Sequence, residues 1–96
     1  MRSVKDFKKI LSIHKDRIFK EYSIKSMAIF GSFSRQEENE KSDLDILVEF
    51  DGKMGIRFID LAEDLESLLK IKVDLVSKKG LKDKYLNSIN SDLQYV

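Results

Sequence analysis

Two aspartates, Asp43 and Asp45, flank a single leucine and lead into the apolar run Ile46-Leu47-Val48. In a β-strand successive side chains alternate between faces, so both carboxylates project to the same side, with Cα atoms about 6.5–7 Å apart. Carboxylates held side by side repel one another unless a cation or a proton relieves them, and a cation is the simplest relief. The chain has no cysteine and one histidine, so the donors on offer are oxygens. Such donors suit Mg²⁺ or Mn²⁺, which take a few carboxylates and fill their remaining positions with water and phosphate. Alternating acids are also the ordinary solvated face of a strand, so the pair alone does not fix a chemistry.

Gly31-Ser32 closes an earlier apolar run, Ser26 to Phe30. Glycine lets a backbone approach a ligand closely, and the N-terminus of a following helix would aim free N–H groups at phosphate, with the Ser32 hydroxyl as a further donor. Arg35 follows within reach of a bound polyphosphate. A Gly-Ser pair is usually only a turn, and an exposed arginine is usually only solvated. Together they make half of a nucleotide site.

These residues need elements to position them. Val4, Phe7, Leu11 and Ile18, with Ile10 beside them, recur at helical spacing and predict an amphipathic helix. His14 lies on that stripe, without an acid or second histidine at ligand spacing, and reads as a packed or rim residue. Ser26–Phe30 predicts a short buried strand, and Ser32 to Lys41 a loop or short surface helix anchored by Phe33. Leu44, Ile46, Val48 and Phe50 alternate with Asp43, Asp45, Leu47 and Glu49, the pattern of a strand closed by Asp51-Gly52. From Gly55 onward, Ile56, Ile59, Ala62, Leu65 and Leu69 predict a second helix broadened by Phe58, Leu61 and Leu68. Val73–Val76 predicts a third strand around Asp74. Leu81, Tyr85 and Ile89 give a weaker helical tail whose end is expected to be loosely held. Strand, helix and strand between Asp43 and Ser77 imply a crossover within one sheet. The expected fold class is α+β, a small mixed β-sheet with helices packed on one face.

Composition bounds the function. A chain of 96 residues is expected to form a single domain, 1–96, and 42% hydrophobic with 36% charged residues describes a globular domain. The formal charge of +1, from 18 basic and 17 acidic residues, gives no reason to expect direct nucleic-acid binding. Lys70, Lys72, Lys78, Lys79, Lys82 and Lys84 make the last third basic but read as a solvated face. No run reaches membrane-spanning length, and Met1 to Ile10 lacks the apolar core of a signal peptide, so the cytoplasm is the default expectation. Tyr22, Tyr85 and Tyr95 could each be self-modified, though packing or surface roles are the ordinary reading.

Gly31-Ser32, ten intervening residues, then Asp43-Leu44-Asp45 and Ile46-Leu47-Val48 resembles the signature of the minimal nucleotidyltransferases of the DNA polymerase β superfamily. The resemblance spans about Ser26 to Ser77 and implies a polymerase β palm-like nucleotidyltransferase fold. It implies that Gly31 and Ser32, with Arg35, hold the triphosphate of ATP, and that Asp43 and Asp45 bind two metal ions. Asp74 matches a third carboxylate that the family places on a later strand. It would complete the second metal site and help to activate the acceptor hydroxyl in a two-metal displacement. Short members of the family resemble the antitoxin half of toxin–antitoxin pairs. The implied reaction is therefore transfer of AMP to a tyrosine of a cognate HEPN-family ribonuclease toxin, within a homo- or hetero-oligomer.

The chain departs from the usual pattern at Gln36, where a glycine normally follows the arginine, and Gln36-Glu37-Glu38-Asn39-Glu40 is acidic for a polyphosphate site. A binding module that neutralises its partner by occlusion is the rival expectation, and transfer to a small molecule ranks below both.

Overall fold

The computed structural model describes residues 2–52 and 57–96. In chain order they form α1 (Val4–Glu21), β1 (Ile24–Phe30), β2 (Leu44–Phe50), α2 (Arg57–Leu69), β3 (Val73–Ser77), α3 (Asp83–Ile89) and β4 (Gln94–Tyr95). The strands lie in the order β3-β2-β1-β4. β2 and β3 are parallel and the other two pairings are antiparallel, so the sheet is mixed. The parallel pair requires a crossover, and α2 supplies it.

Helix α1 starts where Ser3 and Asp6 cap each other: Asp6 N–H donates to the Ser3 carbonyl at 3.0 Å, and the Asp6 carboxylate accepts from Ser3 N–H at 2.8 Å. Its buried residues Val4, Phe7, Leu11 and Ile18 pack with Leu61, Leu65 and Leu69 of α2 on the sheet face formed by Met27, Ile29, Leu44, Ile46 and Val48. Full burial of each such side chain contributes about 1.5–3 kcal/mol. Both long helices thus share one face, as the alternation in β2 predicts.

The opposite face is also partly covered. Phe30, Leu47 and Ile89 form a second buried cluster with Val76, Leu81, Leu86 and Leu93, so the short α3 lies over the half of the acidic face around Leu47.

Two details differ from expectation. Ile59 is 67% exposed, because α2 turns the Leu61–Leu65–Leu69 stripe inward and Ile59 falls on the opposite side. Gly55 and Ile56, assigned to the start of that helix, lie outside the described residues. The chain end is tied down: β4 pairs with β1, and Val96 N–H donates to the Met27 carbonyl at 2.9 Å. His14 is half-buried on α1, a rim position as expected. Among the described residues no helix is long and apolar enough to cross a membrane.

Candidate active site

Register brings the signature residues together. Phe30, the last residue of β1, pairs with Asp45 in β2, and Asp45 pairs in parallel register with Asp74 in β3. Gly31 therefore emerges beside Asp45. It has φ +78°, and a Cβ there would collide with the Asp45 Oδ2 and sit 3.0 Å from its Cγ. Glycine is required twice over, for the left-handed backbone and for the carboxylate lying against it. Asp43 lies one residue before β2 and is exposed, as is Asp74, whereas Asp45 is half-buried.

The electrostatics single out Asp45. Burial, then the charge and hydrogen-bonding contact of Asp74, then the charge of Asp43 push its carboxyl up to about 6, and Arg35 opposes the shift. Glu49, two pleats along the same face, is relieved: Ser26 Oγ donates to it at 3.2 Å and Lys78 stands 3.6 Å away. Among the described residues no ion pair of this kind is formed by Asp45. Arg35, whose charge opposes the shift, is engaged by Glu37 and Asp92, each at 2.9 Å.

Gly31–Gln36 forms a single turn rather than the start of a longer helix. Arg35 N–H donates to the Gly31 carbonyl at 3.1 Å, Gln36 N–H to Phe33 at 3.3 Å and Glu37 N–H to Ser32 at 2.8 Å. Phe33 anchors it as expected, 2% exposed and edge-to-face with Phe7 at 5.3 Å. Gln36 ends the turn at φ +60°, which gives the physical reason for a glycine in the usual pattern.

Whether these donors fit Mg²⁺ or Mn²⁺ turns on their number and hardness. Among the described residues no group of three or more acids or histidines is gathered as a ready-made metal cage. Mg²⁺ does not need one, since it is commonly held by one or two carboxylates together with substrate phosphates and water. The Asp45–Asp74 contact, with Asp43 adding charge, fits that requirement. Two grooves of about 680 Å³ flank this region, one along Phe50, Phe58, Lys78 and Leu86, the other between Arg2, Phe7, Phe33 and Ser42.

The family model for the nucleotidyltransferase domain matches residues 9–96. The chain belongs to the nucleotidyltransferase family. A relative from Methanocaldococcus jannaschii, provisionally named a protein adenylyltransferase, is 47% identical over 98 residues, covering 100% of both chains. The protein adenylyltransferase MntA of Thermococcus cleftensis is 36% identical over 97 residues, covering 100% of this chain and 98% of its own. A solved structure described provisionally as a minimal nucleotidyltransferase superposes with a TM-score of 0.74 at 30% identity, covering 94% of this chain and 88% of that one. A chain from a toxin–antitoxin structure with AMP-PNP shares the fold, with a TM-score of 0.70 at 23% identity and coverage of 86% and 69%.

Within this nucleotidyltransferase, three residues near the turn escaped the sequence reading. Ser34, Asp92 and Gln94 are hydrogen-bonded to one another or to the turn. A two-residue strand at a chain end carries no periodicity, so nothing in the sequence signalled that Asp92 and Gln94 return to Ser34.

Proposed function

We propose that this nucleotidyltransferase transfers AMP from ATP to a tyrosine hydroxyl of a cognate HEPN-family toxin. The observation that carries the reading is the contact set Gly31–Asp45–Asp74, which puts a backbone cradle against an unrelieved pair of carboxylates. Likeness over whole chains to proteins named adenylyltransferases supports a protein as the acceptor.

On this reading Gly31 lets the turn approach the triphosphate, and Ser32 donates its hydroxyl to a phosphate oxygen. Arg35 exchanges its Glu37 partner for phosphate, its planar donor set being well matched to either. Asp43, Asp45 and Asp74 hold two Mg²⁺ ions, Mn²⁺ being the alternative. When bound, these ions stabilise negative charge on the attacking oxygen and on the departing pyrophosphate. Asp74, on the exposed side, accepts the proton of the incoming tyrosine hydroxyl. A bond forms from that oxygen to the α-phosphorus, and the bond to the bridging oxygen breaks, releasing pyrophosphate. The chain's own contribution is positioning and charge, which suffice for displacements of this kind.

Intact mass spectrometry of the partner after incubation with ATP and Mg²⁺ tests the proposal. The expected result is a mass gain in whole AMP units that is lost in Asp43→Ala/Asp45→Ala. A partner silenced without mass gain by both proteins would replace transfer with occlusion.

A further inference from the structure

The Gly31–Gln36 turn is too short to hold its shape alone, since one isolated helical turn fixes several dihedral angles for few hydrogen bonds. Phe33 pins it from the helix side. On its other side lies the end of the chain. Gln94 Nε2 donates to the Ser34 carbonyl at 3.1 Å and to Ser34 Oγ at 3.2 Å. The Ser34 hydroxyl donates to the Asp92 carbonyl, and Arg35 Nη1 donates to the Asp92 carboxylate at 2.9 Å.

The same segment is fastened to the strand that delivers Gly31. Gln94 pairs with Ile29 and Tyr95 with Ala28, and Val96 N–H reaches the Met27 carbonyl. Strand β1, the turn and the chain end therefore close a ring of contacts. Ser34, Asp92 and Gln94 are all half-buried, so water competes only partly for these bonds.

We propose that the segment Asp92–Gln94 is a brace that sets the position of the Gly31–Gln36 turn, with Asp92 and Gln94 as positioning residues for nucleotide. The inference rests on the reading of that turn as the triphosphate cradle. Gln94 touches the middle of the turn, and its amide is the side-chain group through which β4 bonds to the turn. Small displacements of a cradle are costly, because phosphate recognition depends on the direction of its donors.

The test uses the full chain with Gln94→Ala, Gln94→Glu and, as a control, Tyr95→Ala. Tyr95 is in the same strand, 54% exposed, and so loosens β4 without removing the Gln94 amide. In Gln94→Ala the amides of Arg35, Gln36 and Glu37 should exchange about tenfold faster in the absence of nucleotide. The KM for ATP should rise about fivefold while kcat stays within about twofold. Gln94→Glu should be worse, since at neutral pH it faces the Ser34 carbonyl with no proton to donate. Tyr95→Ala should lower the melting temperature and leave KM unchanged.

Unchanged exchange and KM in Gln94→Ala, or equal shifts in Tyr95→Ala, would overturn the brace. A wild-type protein that binds ATP while Gln94→Ala binds it equally well overturns this inference alone. A wild-type protein that binds no ATP overturns the cradle reading beneath it.

Discussion

Asp45 and Asp64 are both half-buried aspartates, and the fold treats them in opposite ways. Asp64 joins the two long helices: Arg17 donates to both of its oxygens at 3.2 Å, and the buried Tyr22 hydroxyl donates to it at 3.0 Å. The Arg17 bonds hold its carboxyl below the usual range, and burial with the Asp64 hydrogen bond pushes the Tyr22 phenol up to about 12. Asp45 instead lies beside two further carboxylates and is pushed up to about 6. A carboxylate satisfied by its own protein serves stability, whereas one surrounded by like charge awaits a cation from outside.

Replacing Asp45 by Asn is the strongest way to break this contrast. It should reduce AMP transfer by about a thousandfold or more, as expected when charge stabilisation at the reacting centre is lost. The metal-free protein should nevertheless be more stable at pH 8, by only about 1 kcal/mol because solvent reaching this half-buried carboxylate screens part of the repulsion. Adding Mg²⁺ should raise the wild-type melting temperature and have little effect on Asp45→Asn. Loss of both activity and stability in Asp45→Asn would show that the carboxylate serves the fold.

At the other aspartate, Asp64→Ala should destabilise by about 1–2 kcal/mol, because it leaves the buried Tyr22 hydroxyl without its acceptor. Denaturant unfolding measures the loss. Transfer by the folded fraction should be unaffected, and a fall in its kcat would mean that the helix pair communicates with the sheet edge.

The two carboxylates also predict opposite pH responses. Asp64 has a depressed folded pKa, so its contribution is present above its unfolded value near 3.9 and is lost as pH falls through the folded value. Asp45 is raised, so the folded protein binds more protons than the unfolded chain between about 4 and 6, and stability falls as pH rises through that window. A metal-free melting-temperature profile should decline from about pH 4 to 6 in the wild type and flatten in Asp45→Asn. Saturating Mg²⁺ should flatten it as well.

The asymmetry explains what could be read from the sequence. Leu44, Ile46 and Val48 alternate with Asp45, Leu47 and Glu49 because one face of β2 is buried under α1 and α2, so the strand and its helices were legible from periodicity. The meeting of Gly31 with Asp45 and Asp74 depends on strand register, which motif spacing suggests but does not state. Ile59 misled because a leucine-rich helix offers two overlapping stripes, and only packing selects between them. The tie between Gln94 and Ser34 spans 60 positions through a two-residue strand and leaves no local pattern to read.

Backbone strain offers a finer test of whether the two regions differ in charge alone. Gln36 at the end of the Gly31–Gln36 turn has φ +60°, and Lys70, just after α2 on the scaffold side, has φ +56°. Both residues hold their backbone in the left-handed region that glycine adopts without penalty. Relief of strain is offset in part by the greater freedom of glycine in the unfolded chain, leaving about 0.5–1 kcal/mol of net stabilisation for Gln36→Gly and for Lys70→Gly. Equal gains, with ATP affinity unchanged in both, would locate the difference between the regions in their charges. A larger gain at Gln36 accompanied by weaker ATP binding would mean that the turn holds its strained geometry for the nucleotide.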